Sequence, residues 1–221
     1  KRGAGFDVVT YTGNSVQGRD VPHSLGVAPN MMWVKNRTRT AGGGADWSVY
    51  VSGITHLSVY GSDPDNYGNN PVALELNTTE QAQFSASGYW DHTHPTSTHF
   101  RVGDTYHCNQ DGESIMAILF ASIDKISKIG NYSGNGSSGQ TISTGFQPRF
   151  LMIRRVDTAS NWLILDTTRG WGSGDDKYML LNAQNAQGDY EVGAPVSNGF
   201  TLVGDNDYNQ NTKQYIYYAH A

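Results

Sequence analysis

Tyr11-Thr-Gly-Asn14 closes one apolar run near the start of the chain, and Tyr132-Ser-Gly-Asn135 closes another. The agreement continues downstream. Gly26-Val-Ala-Pro29 followed by Met31-Met-Trp-Val-Lys35 recurs as Gly145-Phe-Gln-Pro148 followed by Phe150-Leu-Met-Ile-Arg154. Asp46-Trp47-Ser-Val-Tyr50 answers to Asn161-Trp162-Leu-Ile-Leu165, and Ala73-Leu-Glu-Leu-Asn77 to Tyr178-Met-Leu-Leu-Asn182. The last third of each copy aligns without a gap at an offset of 100: Trp90 with Tyr190, Pro95 with Pro195, Phe100 with Phe200, Asn109-Gln110 with Asn209-Gln210. Towards the N-terminus the offset grows to 105, 115, 119 and 121, and every step falls between apolar runs. An insertion inside a strand would turn every later side chain to the other face, whereas a loop absorbs it. The chain is therefore a duplication, and its first copy carries the longer loops.

Each copy is expected to hold about six short strands. They lie near 6–11, 31–35, 47–51, 73–76, 100–102 and 115–121 in the first copy. In the second they lie near 129–132, 150–155, 162–166, 178–181, 200–203 and 215–221. Aromatic and β-branched runs separated by Gly- and Asn-rich connections, with no long 3.6-residue periodicity, give an all-β fold. The expectation is two tandem antiparallel β-sandwich (jelly-roll-like) repeats, 1–126 and 127–221, joined near 122–127. Trp47 and Trp162 hold one place in both copies and are read as core anchors.

The chain has 221 residues, a formal net charge of −5 and scattered basic residues. A nucleic-acid interface needs a basic face to neutralise phosphates, so nucleic acid is not an expected partner, nor is an anionic membrane surface. No apolar run approaches the roughly 18 residues of a membrane span. Cys108 stands alone and cannot form an internal disulfide. The chain opens at Lys1-Arg2 without a Met, which suits a processed product or a piece of something longer.

Few residues invite chemistry. Gly134-Asn-Gly-Ser-Ser-Gly139-Gln140-Thr141 has the outline of a phosphate loop, but Gln140 replaces the lysine and no helix pattern follows, so it reads as a turn. His92, His94 and His99, with His107-Cys108 further on, form the richest set of metal-type ligands. An H-x-H pair on a strand puts both rings on one face, and three chains around an axis could offer His92 and His94 to a shared ion. The second copy holds Val192, Ala194, Gly199 and Asp207 at the places of His92, His94, His99 and His107, so the fold does not depend on the set and a plain His-rich exposed loop is the preferred reading. No other cofactor is expected. The acidic turns Asp63-Pro-Asp65-Asn66 and Gly204-Asp205-Asn-Asp207-Tyr-Asn209 lack the spaced ligands of a calcium loop, and Asx turns account for them. Asp91, Glu75, Glu80, Asp166, Asp175 and Glu191 are available carboxylates, but no spacing sets two of them at a working separation, and no catalytic residues are assigned.

Loop aromatics are the better lead. Tyr60, Tyr67, Tyr89, Trp90, Trp171 and Tyr190 fall in or beside the variable connections. Sugars present flat C–H faces that stack on aromatic rings, with Asn, Gln and Asp meeting their hydroxyls. Trp90 and Tyr190, matched between copies, also suit a core pair. Trp171, in Arg169-Gly-Trp-Gly-Ser-Gly174, has no counterpart in the first copy and is expected to be exposed. The ligand-binding candidates are thus Trp171, Tyr60, Tyr67, Tyr89 and Arg169.

The run from Lys1 to Asn14, Leu25-Gly-Val-Ala-Pro-Asn-Met-Met-Trp-Val-Lys-Asn-Arg37, Pro95-Thr-Ser-Thr-His-Phe100, Tyr132-Ser-Gly-Asn-Gly136 and Gly145 to Arg155 resemble, together, a tandem-repeat β domain of phage virion proteins. So does Lys177-Tyr-Met-Leu-Leu-Asn182. That domain is associated with tail fibres and related appendages of phages of marine bacteria and cyanobacteria. The resemblance implies a non-catalytic virion protein, outside the host cell, that recognises a host surface glycan or protein, contacts other virion chains and assembles as a homotrimer. A purely structural, decorating virion module is the alternative, and a carbohydrate-active β-sandwich enzyme ranks last.

Overall fold

The computed structural model describes residues 5–40, 45–62, 66–84, 88–172 and 174–221. It divides into two compact units, Lys1–Ala121 and Ser122–Ala221. Among the described residues, unit 1 holds β1 (Phe6–Thr12), β2 (Arg19–Pro22), β3 (Met31–Asn36), β4 (Ser48–Val51), α1 (His56–Tyr60), β5 (Leu74–Glu75), β6 (His99–Val102) and β7 (Ser114–Phe120). Unit 2 holds β8 (Ser127–Ser133), β9 (Gln140–Ser143), β10 (Phe150–Arg155), β11 (Leu163–Asp166), β12 (Asp176–Leu180), β13 (Gly188–Tyr190), β14 (Pro195–Val196), β15 (Gly199–Leu202) and β16 (Gln214–His220).

The fold is all-β, and each unit is an antiparallel sandwich. In unit 1 a five-stranded sheet, β1-β7-β3-β4-β5, faces the pair β2-β6. In unit 2 a six-stranded sheet, β13-β12-β11-β10-β16-β8, faces β14-β15-β9. Alternation along a strand sends every second side chain inward. On β7, Ile115, Ala117 and Leu119 are fully buried while Ser114, Met116, Ile118 and Phe120 are half-exposed. They meet Val21, Phe100 and Val102 of the small sheet in one core. Ile142, Phe200 and Leu202 close the core of unit 2 against Leu151, Ile153, Leu165, Tyr215 and Tyr217 in the same manner.

The strand registers match between units residue for residue. Tyr11 faces Ile115, as Tyr132 faces Tyr215. Met31 faces Phe120, as Phe150 faces His220. Met32 faces Tyr50, as Leu151 faces Leu165, and Val21 faces Phe100, as Ile142 faces Phe200. The offsets read from the sequence are thus the offsets between paired strands. The small-sheet strands β2 and β9, together with β13, β14 and α1, carry no strong apolar alternation and were not among the expected elements.

The repeated Tyr-x-Gly-Asn motif is a lock. The Tyr11 hydroxyl donates to the Cys108 carbonyl at 2.6 Å, and the Tyr132 hydroxyl to the Tyr208 carbonyl at 2.6 Å. The fully buried Asn109 accepts from the Asn14 main chain and donates to the Val16 and Gly103 carbonyls, while Asn209 accepts from Asn135 and donates to Ser137 and Gly204. Glycine is required between them. A Cβ on Gly13 would stand 2.0 Å from the Gln110 carbonyl oxygen, and one on Gly134 would stand 2.3 Å from that of Gln210. The phosphate-loop look-alike that begins at Gly134 is this lock followed by the turn into β9, where the Asn135 side chain accepts from Ser137.

Residues 122–126, placed with the first copy by the expected bounds of 1–126 and 127–221, fall in unit 2. The Ile126 carbonyl accepts from Ala221, and the Ser122 hydroxyl from Ile129. The two tryptophan anchors differ in depth. Trp162 is fully buried with the Arg154 guanidinium 4.9 Å from its ring, while Trp47 is only half-buried beneath Lys35, 6.0 Å from its ring. Both main chains are held alike, Trp47 N–H by Asn77 and Trp162 N–H by Asn182.

Candidate recognition surface

The two units part company in their loops. Between β4 and β5, unit 1 has residues 52–73, which is 22 residues. Unit 2 joins β11 to β12 with residues 167–175, which is nine. The long loop begins with α1. Ser58 caps it from within, accepting from the Thr55 main chain at 2.8 Å and donating to the Thr55 carbonyl at 2.7 Å. Gly61 ends it at φ 70°, its N–H reaching the Leu57 carbonyl, so the chain turns back after barely one turn.

That short helix places two of the expected residues together. His56 sits at the centre, with ring centroids 4.7 Å from Tyr60, 4.8 Å from Phe84 and 6.4 Å from Tyr67. Tyr67 packs on Phe84 at 5.1 Å and stacks on His92 at 5.3 Å. Tyr60 is 40% exposed, its hydroxyl donating to the Ala82 carbonyl. The other four rings are half-buried, with Asn66 and Asn69 exposed on the same loop. The His56 Nδ1 atom is buried and, among the described residues, has no hydrogen-bond partner. Asn66, Asp91 and His92 have φ of 60°, 44° and 58°, a left-handed backbone that non-glycine residues adopt at a cost and that tends to gather at functional sites. A patch of half-open rings bordered by amides is suited to stacking on an apolar sugar face and bonding its hydroxyls.

The remaining candidates fall elsewhere. Trp171 is not exposed: it is 97% buried (3% accessible) in the core of unit 2, its indole N–H donating to the Gly193 carbonyl at 2.8 Å. Asp176, itself fully buried, accepts from the Gly172, Val192 and Gly193 main chains and ties down the loop around it. The flanking glycines, read as signs of an open loop, let the backbone fold the indole inward; Gly170 stands at φ 114°. Arg169 is engaged with Asp166. Burial pushes the Asp166 carboxyl up, but the main chain and guanidinium of Arg169 outweigh it and hold the carboxyl below its ordinary range. Tyr89 is buried in the core of unit 1, and burial raises its phenol. Trp90 and Tyr190 are not a matched core pair, since Trp90 is fully buried and Tyr190 is 40% exposed.

Among the described residues, His92, His94 and His99 do not bring their ligand atoms together into one group. His92 Nδ1 meets the Asn70 amide, His94 lies between the Tyr50 hydroxyl and the Asn69 carbonyl, and His99 bonds Thr96 and Thr98. Cys108 is fully buried, its thiol directed at the Gly88 and Tyr89 carbonyls. In the turn from Gly204 to Asn209, Asn206 accepts from Tyr208 as an Asx turn does. Asp63 and Asp65 lie outside the described residues.

Residues 1–221, the whole chain, match the family model described as a domain of unknown function, DUF7483. The chain belongs to the DUF7483 family. No curated protein matches it, and no solved structure does. In this DUF7483 chain His56 and Phe84 complete the aromatic patch and were missed from sequence. The signal available was their position: each lies in a connection that is longer in the first copy, His56 between β4 and β5 and Phe84 after β5.

Proposed function

We propose that this DUF7483 chain is a non-catalytic host-recognition domain of a phage tail fibre or related virion appendage. It binds a host surface glycan through the aromatic patch of unit 1. The observation that carries the reading is that His56, Tyr60, Tyr67 and Phe84 pack together in connections that are longer in the first copy than in the second. A duplicated scaffold needs the residues its copies share, so a group confined to one copy is free to serve binding. The virion setting, the homotrimer and the contacts with other virion chains come from the sequence resemblance.

The test is a glycan array and whole-cell binding with the intact oligomer and with a Tyr60→Ala/Tyr67→Ala double variant. The expected result is binding by the parent and a loss of about tenfold or more in the variant, or about 1.4 kcal/mol. Absence of binding by the intact oligomer, or equal binding by the variant, would overturn the proposal and favour a decorating module.

A further inference from the structure

A second group of copy-one residues shares no member with the aromatic patch. Asp46 precedes β4, Glu75 lies on β5 and His107 lies between β6 and β7. One ring nitrogen of His107 and one carboxylate oxygen from each acid all lie within 4.8 Å of one another. His107 is 6% accessible and Glu75 7%. The His107 Nδ1 atom is buried and, among the described residues, has no hydrogen-bond partner, an arrangement that is costly unless something occupies it.

The surroundings prepare these groups as ligands. The Asn77 amide donates to Asp46 at 2.7 Å and the Thr78 hydroxyl to Glu75 at 2.9 Å, fixing the carboxylates in the way outer-shell partners do. Burial pushes the His107 imidazole below its ordinary value; Asp46 opposes this, and Arg39 and Lys35 reinforce it. The neighbouring cations have other partners, Arg39 on the Tyr106 ring at 4.2 Å and Lys35 at the Ala45 carbonyl. Two close carboxylates, half-buried and buried, repel each other, and a dication between them reverses the sign of that interaction.

We propose that Asp46, Glu75 and His107 form a divalent transition-metal site in unit 1, suited to zinc. One imidazole and two carboxylates fit zinc or its neighbours better than calcium, which takes six to eight oxygens. Three protein ligands leave a fourth position for water. The second copy has Asn161, Leu180 and Asp207 at the matching positions, so one ion per chain is expected. Bound there, the ion ties β5 and the β6–β7 connection to the start of β4.

The experiment uses the full chain, stripped with EDTA and then titrated with zinc chloride by calorimetry, with elemental analysis of the dialysed protein. One zinc per chain is expected. His107→Asn and Glu75→Gln should each weaken binding at least tenfold, while a His92→Ala/His94→Ala variant binds like the parent. An anomalous difference map at the zinc edge, on the unaltered chain, decides the matter if a variant fails to fold: a peak about 2.0–2.2 Å from the three ligands supports the site. Absence of stoichiometric zinc, zinc located elsewhere, or loss of binding only in the His92/His94 variant would overturn it.

Discussion

Trp171 and Tyr60 show how far a residue's neighbours in sequence can mislead. Both are aromatic and both lie in copy-specific connections, yet Trp171 fills a core and Tyr60 stands at the surface. Nothing in Arg169-Gly-Trp-Gly-Ser-Gly174 announces that Asp176 will collect three main-chain N–H groups and draw the loop inward. Trp171→Ala should therefore act on stability, lowering the unfolding free energy of unit 2 by about 3–5 kcal/mol in denaturant titration and leaving ligand binding intact. The lock residues behave likewise. Gly134→Ala forces a Cβ against the Gln210 carbonyl and should cost about 1–3 kcal/mol by the same measurement, with the far-UV spectrum of the folded state unchanged. Residues shared by both copies could be read as scaffold from the sequence alone, and Tyr11, Gly13 and Asn109 are so placed. A residue present in one copy carries no such label. Trp171, Tyr60 and His107 all fall in that class, and only packing separates core from patch from ligand cluster.

At the scale of elements, legibility followed apolar runs. β7 buries every second side chain, and β3, β10 and β16 bury consecutive apolar residues, so their positions and register could be read from the offsets. The two-residue β14 and the polar β2 and β9 give no such pattern and owe their form to their partners. α1 is the extreme case: it spans five residues and buries none of its side chains. Its stability comes from Ser58, Gly61 and the rings packed around His56, not from propensity, which a single turn cannot supply. Native-state hydrogen exchange should reflect this. The α1 amides are expected to exchange at least a hundredfold faster than those of Ile115, Ala117 and Leu119, and to slow when a glycan engages the patch.

At the scale of the whole molecule, each unit has its own core: one cluster of buried residues lies wholly within 1–121 and the other wholly within 122–221. Division of labour follows from duplication: unit 2 keeps short loops and a compact core, while unit 1 bears the aromatic patch and the Asp46–Glu75–His107 group. The two units expressed separately, Lys1–Ala121 and Ser122–Ala221, are each expected to unfold cooperatively. Binding of these separate units to host cells tests the central claim most directly. The account predicts that Lys1–Ala121 retains binding and that Ser122–Ala221 does not; binding confined to Ser122–Ala221 would contradict it.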